Sequence, residues 1–206
     1  MLFRSVMLDA NGCNTTAAAA VLAARKQVTL SASKAIVLGG TGPVGQRVAQ
    51  LLALEGARVT IVSRALDKAA HAVEHVNRLL GSDHATAVTP ASGESEEHLR
   101  ALLPGTSVII AAGAAGVQLL AQSLWQHDAS ARDLRVLIDL NAVPPLGIEG
   151  VEVMDKGKSR QQVVTYGAIG VGGSKMKIHR AAIASLFTST QTVLDAPQIY
   201  ALGKTL

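Results

Sequence analysis

The stretch KAIVLGGTGPVGQRVAQLLALEGARVTIVSR, Lys34 to Arg64, decides the fold. It reads as strand, glycine turn, helix and strand. Gly40, Gly42 and Gly45 match G-x-G-x-x-G between a β-branched run and an amphipathic helix, the setting of a dinucleotide-binding turn. Such glycines let the chain turn tightly and bring backbone N–H groups at a helix N-terminus close to a pyrophosphate. Gly39, Gly42 and Gly45 also fit the looser G-x-x-G-x-x-G spacing, so the motif leaves the subfamily open. A turn that only packs a helix on a sheet could carry the same glycines.

Working outward, β and α signals alternate, which predicts an α/β protein: a Rossmann-like, doubly wound parallel sheet with flanking helices. Strands are expected at Ser5–Leu8, Ala35–Leu38, Val59–Val62, Ala85–Val88, Ser107–Ala112, Val136–Leu140 and Val163–Tyr166, the last of them closing the set. Helices are expected at Thr15–Lys26, capped by Asn14, and at Val44–Leu54, stopped by Gly56. Further helices are expected at Leu66–Leu80, Glu94–Leu102, Val117–Gln126, Lys175–Phe187 and Ala196–Leu202. Ligands of open parallel sheets bind beyond the carboxyl ends of the strands. The segments expected there are GGTGPVG, the run from Ser63-Arg64, AAGAAG, NAVPP and GAIGVGG.

Composition narrows the class. The chain has 206 residues, 49% hydrophobic and 17% charged, which is globular and long enough to bury a sizeable core. Only 2% is aromatic, and the net charge of +4 is spread without a basic run, which argues against nucleic acid. Cys13 is the only cysteine, so no internal disulfide forms and a reducing compartment is expected. The apolar run Val108–Ala121 is broken by glycines and too short to span a bilayer. The start, MLFRSVMLDANG, lacks the regions of a secretory signal, so no membrane association and a cytoplasmic location are expected.

The end of the second strand of a nucleotide unit selects the dinucleotide. NAD-preferring units place an acid there, which accepts from the ribose 2′-OH and repels a 2′-phosphate. This chain has Ser63-Arg64 instead, with Lys68 one helical turn on. A hydroxyl donor and a guanidinium fork suit a 2′-phosphate, so NADP is the expected cofactor. The competing readings are a solvated loop cation for Arg64 and, for Lys68, a partner for Asp67 or plain surface.

Other polar residues are less specific. Lys175 and His179 are four apart and share a helix face, where they could orient a substrate carbonyl or stand as surface cations. Asp9, Asn11, Asn14, Thr15 and Thr16 form a second polar cluster that also reads as a turn with a helix cap. His71, Glu74, His75 and His84 fit a solvated face better than a metal site, and no metal is expected. Tyr166 has no lysine four residues on, so the Tyr-x-x-x-Lys dyad of short-chain dehydrogenases is absent.

The blocks LDANGCNTTAAAAV, LGGTGPVGQR, SRALDKA, NAVPPLGIEG, DKGK and YGAIGVGGSKMKIHRA, in that order, resemble the NADP-dependent methylene-tetrahydromethanopterin dehydrogenases of methylotrophic bacteria, over nearly the whole chain. The resemblance implies hydride transfer to NADP+ from methylene-tetrahydromethanopterin, or methylene-tetrahydrofolate in some members. It implies that Thr16, Lys175 and His179 line the pterin pocket, with little acid–base chemistry asked of them. It assigns the pyrophosphate to Gly40, Thr41, Gly42, Pro43 and Val44, the 2′-phosphate to Ser63, Arg64 and Lys68, and the nicotinamide side to Ala112, Gly113 and Asn141. Residues 1–32 are then an N-terminal strand and bridging helix, and 33–206 the NADP-binding domain. Family members carry a further N-terminal α/β domain ahead of the LDxNGxNTT block, which begins here within ten residues of Met1. A homo-oligomer, or a separate chain that completes the substrate cleft, is therefore expected. A non-catalytic NADP-binding module, or the cofactor half of a split enzyme, is the alternative.

Overall fold

The computed structural model describes residues 5–81, 87–188 and 190–206. Seven strands form one sheet in the order β4-β3-β2-β5-β6-β8-β7. They are β2 (Lys34–Leu38), β3 (Arg58–Ser63), β4 (Val88–Ser92), β5 (Thr106–Ala111), β6 (Val136–Asp139), β7 (Lys156–Arg160) and β8 (Val163–Tyr166). All neighbours run parallel except the edge pair β7–β8, which is antiparallel. A two-stranded parallel ribbon of β1 (Val6–Met7) and β9 (Val193–Leu194) lies apart from it.

Period-two alternation along the central strands builds two cores. On β2, Ala35 and Val37 face one core while Ile36 and Leu38 face the other. On β5, Val108 and Ile110 separate from Ile109 and Ala111 in the same way. The larger core also holds apolar residues of α1 (Cys13–Arg25), α2 (Pro43–Leu54), α3 (Leu66–Leu80), α6 (Ala168–Ser185) and α7 (Ala196–Gly203). The smaller one is covered by α4 (Glu96–Leu102) and α5 (Gln122–Gln126), which contribute Leu99, Leu124 and Trp125. Strand order reverses at β2: the chain moves out through β3 to β4, then returns to β5 on the other side of β2. That reversal opens a crevice at the carboxyl ends of β2 and β5.

The structure corrects several expected elements. Asn14 does not cap α1, which begins at Cys13. The Asp9 carboxylate caps it instead, accepting the backbone N–H groups of Asn14 and Thr15 at 2.9 and 3.0 Å. Asn14 turns its amide to the Leu8 carbonyl and the Asp195 carboxylate. The fourth strand runs Val88–Ser92, beyond the expected start; Ala85 and Thr86 lie outside the described residues. Residues 117–121 are not helical. Leu119 and Leu120 instead donate their N–H groups to the Gly147 carbonyl at 2.8 and 3.0 Å, leaving only Gln122–Gln126 as helix. The segment GAIGVGG is helix rather than loop, because α6 starts right after Gly167. Two strands escaped the sequence patterns: β7, made of charged and small exposed residues, and β9, only two residues long. Gly56 ends α2 as expected: at φ 86° it lets its own N–H reach Ala53 O, and that of Ala57 reach Leu52 O.

Candidate functional site: a cleft at the strand reversal

The crevice beyond β2 and β5 is a cleft of about 600 Å³, whose lining includes Thr41, Ser63, Arg64, Lys68 and Gly113. Five of the expected cofactor residues thus converge, from three different strand ends. Ser63 ends β3, and Arg64 and Lys68 follow it into α3, both exposed toward solvent. Thr41 belongs to the glycine turn, which Gln46 pins by donating to the Thr41 carbonyl at 2.6 Å.

The glycines of the turn serve different ends. A Cβ on Gly45 would lie 2.5 Å from the Gly40 Cα, so turn and helix touch backbone to backbone. A Cβ on Gly39, whose φ is +62°, would lie 2.4 Å from the Gly113 Cα, so the loops after β2 and β5 also meet backbone to backbone. Gly42, by contrast, faces open space and is the N-cap of α2, with Pro43 in its first turn and Val44 next. An open glycine at the N-terminus of a twelve-residue helix is a cradle that accepts an anionic group against free N–H donors. These residues fit the pyrophosphate of a dinucleotide.

Several wall residues were not foreseen, among them Glu94 and Leu119. Glu94, just past β4, brings a carboxylate to the cleft. Its position follows from the pairing of β4 with β3, in which Ser63 sits opposite Ser92; nothing in the local sequence signals it. Leu119 packs on the loop after β5, where a Cβ on Gly113 would lie 2.7 Å from its Cδ1. It was hidden by the expected helix over 117–126. Ala112, beside Gly113, donates its N–H to the Leu38 carbonyl at 2.9 Å, locking the two strand ends together.

Asn141 stands outside this lining. It is buried, accepts the Val143 N–H at 3.0 Å and donates to the Pro145 carbonyl at 3.2 Å, so its amide organises its own loop. The neighbouring Asp139, at the end of β6, is 1% exposed. Its carboxylate accepts the N–H groups of Asn141 at 3.0 Å and Ile148 at 2.9 Å, tying both ends of the NAVPPLG loop to the sheet. Burial raises the Asp139 carboxyl above the ordinary carboxylate range, against the opposing pull of those N–H donors.

The other expected pocket residues form a second cluster. Tyr166, just before α6, accepts from Gln27, just after α1, while His179 on α6 meets Asp9, just before α1; the two helices therefore pass antiparallel. Lys175 reaches the start of α1, where a Cβ on Gly12 would lie 2.9 Å from its Nζ. His179 Nδ1 lies 3.4 Å from Asp9 Oδ2, and that same oxygen accepts the Thr15 hydroxyl at 2.8 Å. Thr16 lies in the same first turn of α1, half-buried. Cys13 beside it is no activated thiol: burial and then the Asp9 charge push it up, and Arg47 on α2 only partly offsets them. Among the described residues no three His, Cys, Asp or Glu side chains are placed to hold a metal, and no helix is long and apolar enough to cross a membrane. His84 lies outside the described residues.

Comparison with known proteins identifies relatives and the fold class. Over 202 residues the chain is 44% identical to the bifunctional protein MdtA of Methylorubrum extorquens, covering 97% of this chain and 68% of that protein. Over 179 residues it is 34% identical to the NAD(P)-dependent methylenetetrahydromethanopterin dehydrogenase of the same organism, covering 82% of this chain and 58% of that one. No protein-family model matches the chain. Among solved structures, a transhydrogenase from Sinorhizobium meliloti superposes with a TM-score of 0.64 at 17% identity, over 94% of this chain and 54% of its own. An L-alanine dehydrogenase gives a TM-score of 0.53 at 14% identity, over 94% of this chain and 64% of its own. These two share the Rossmann-type fold. The chain belongs to the family of the bifunctional protein MdtA and is more distantly similar to the methylenetetrahydromethanopterin dehydrogenase.

Proposed function

We propose that this chain binds NADP in the cleft at the strand reversal and serves hydride transfer from methylene-tetrahydromethanopterin or methylene-tetrahydrofolate to NADP+. The observation that carries the reading is the convergence of Thr41, Ser63, Arg64 and Lys68 on one cleft, beside the open Gly42 cradle. When bound, NADP supplies the hydride acceptor; the pterin's own nitrogens stabilise the positive charge left on the methylene carbon.

The protein's share is to bind and orient. Backbone N–H groups of Thr41, Gly42 and Val44, at the N-terminus of α2, hold the pyrophosphate, while Gly40, whose N–H goes to the Val62 carbonyl, and Pro43, which has none, shape the turn. Arg64 and Lys68 neutralise the 2′-phosphate, and the Ser63 hydroxyl donates to it. Leu119, packed on Gly113, keeps water from that wall of the cleft. Ala112 and Gly113 offer a wall of small residues that a flat ring can approach, and Asn141 shapes the adjoining loop. At the second cluster, Asp9 holds the imidazole of His179 through Nδ1, leaving Nε2 for a substrate, while Lys175 and Thr16 lie at the same end of α1. Such a site works by alignment of two rings, which asks for no general acid of perturbed pKa.

The test is a spectrophotometric assay of methenyl product from each pterin with NADP+, run on the chain alone and with chains encoded beside it. Product formation with NADP+ well above that with NAD+ is the expected result. Tight NADPH binding with no product under any combination would leave a nucleotide-binding module and overturn the enzymatic reading.

A further inference from the structure

A second cavity, about 440 Å³, opens between α1, α6 and α7 and shares no lining residue with the nucleotide cleft. Its floor is apolar: Ala19, Ala23, Val171 and Ile178 are all buried. Five cations stand around it, Arg25, Lys26, Lys156, Lys177 and Lys204, and no Asp or Glu side chain lines it. Arg25 and Lys204 are both engaged by Glu55, at 3.3 and 3.0 Å. Lys26, Lys156 and Lys177 form no ion pair among the described residues. They come from three separate elements, so sequence proximity did not bring them together. Tyr166 closes the inner wall at 8% exposure. Its oxygen accepts from Gln27 at 2.8 Å, and among the described residues its own hydroxyl proton has no acceptor.

We propose that this cavity is a second binding site, for a small organic anion with a compact apolar body. The body rests on Ala19, Ala23, Val171 and Ile178. The anionic group lies toward Lys26, Lys156 and Lys177, and the Tyr166 hydroxyl donates to it. The volume lies in the range of small-molecule sites, an apolar floor with a few convergent polar groups is their usual form, and an anion relieves the mutual repulsion of three unpaired ammonium groups. The site is independent of the dinucleotide assignment.

Amide NMR of the full chain, with and without saturating NADPH, tests it with phenyl phosphate as the probe. Saturable shifts are expected at Ala23, Val171, Ser174 and Gly203, the same in both conditions. Inorganic phosphate and benzyl alcohol, each offering half of the recognised chemistry, should bind at least about tenfold more weakly. The double substitution Lys26→Gln/Lys177→Gln should raise Kd about tenfold or more, and Tyr166→Phe about threefold, with unchanged melting temperature for the lysine pair. Three results would overturn the proposal: no saturation by about 10 mM phenyl phosphate, shifts confined to the glycine turn and Arg64, or equal affinity for inorganic phosphate. NADPH affinity is read in the same titration, so failure here and failure of the nucleotide assignment are separate outcomes.

Discussion

Arg64 stands where an acid would select NAD, and the structure gives it a cleft to act in, whose lining also includes Lys68 and Glu94. Truncating a guanidinium that pairs with a phosphate removes a strong charge-assisted contact. Arg64→Ala should therefore weaken NADPH binding about tenfold or more, near 1.4 kcal/mol, while leaving NADH affinity within about twofold. Fluorescence titration with the two nucleotides checks this, and equal loss for both would remove Arg64 from the 2′-phosphate site. Two buried aspartates show how environment sets pH behaviour. Burial raises the Asp139 carboxyl, so its contribution to stability is full below the unfolded value near 3.8 and declines as pH rises through its elevated folded value. Burial also pushes Asp155 upward, but the Glu152 N–H, the Thr165 hydroxyl and the Arg160 guanidinium outweigh it and hold that carboxyl low. Its contribution is present above 3.8 and is lost as pH falls through the depressed value. Asp139→Ala strands the buried N–H groups of Asn141 and Ile148, at about 1–3 kcal/mol each. Melting curves from pH 4 to 7 should show its deficit against the parent shrinking as pH rises, and that of Asp155→Ala holding or growing.

At the scale of elements, α1 explains the alanine richness. Its residues 17–20, 23 and 24 are all buried alanines, and the helix packs against α2, α6 and α7. Small side chains let four helices share one layer on one face of the sheet, a reason distinct from room for a nucleotide. The start of α1 depends on Asp9, whose side chain is 4% exposed and serves two backbone N–H groups, the Thr15 hydroxyl and the His179 ring. Asp9→Ala should cost about 1–2 kcal/mol from the cap alone and lower Tm by roughly 3–8 °C, whereas Asp9→Asn keeps an acceptor and should lose less. Calorimetry on both variants decides it; an unchanged Tm for Asp9→Ala would mean water replaces the cap. Lys204 and Arg25 meeting on Glu55 add a link between α7, α1 and α2, modest in worth because all three groups reach solvent.

For the whole molecule, the reversal at β2 matters most. That strand has hydrogen-bonded neighbours on both edges and a core on both faces, while β7 is an exposed edge. Amide exchange should therefore be slowest at Ala35–Leu38, limited by global unfolding, and fast along the outer edge of Lys156–Arg160. Exchange of β2 as quick as that of β7 would show that the sheet opens from its centre.

Local chemistry was legible without the fold. The Gly40–Gly45 turn, the helix from Leu66 to Leu80 and its stop at Gly81 lie as the sequence predicts, because φ freedom, close approach and hydrophobic period are properties of short segments. The alternating cores of β2 and β5 follow from the same short-range pattern. What long-range packing decided was invisible in any window. Glu94 and Leu119 reached the cleft only because β4 lies beside β3, and because Gly147 draws the chain after β5 out of a helix. The segment GAIGVGG became helix although glycine disfavours it. At Gly170 a Cβ would lie 1.7 Å from the Asp155 carbonyl oxygen, so a close backbone contact requires glycine there. The sequence by itself determined the nucleotide unit and its helices. Only the tertiary structure decided which strand ends share a cleft, since pairing between distant strands sets that proximity and no local residue encodes it.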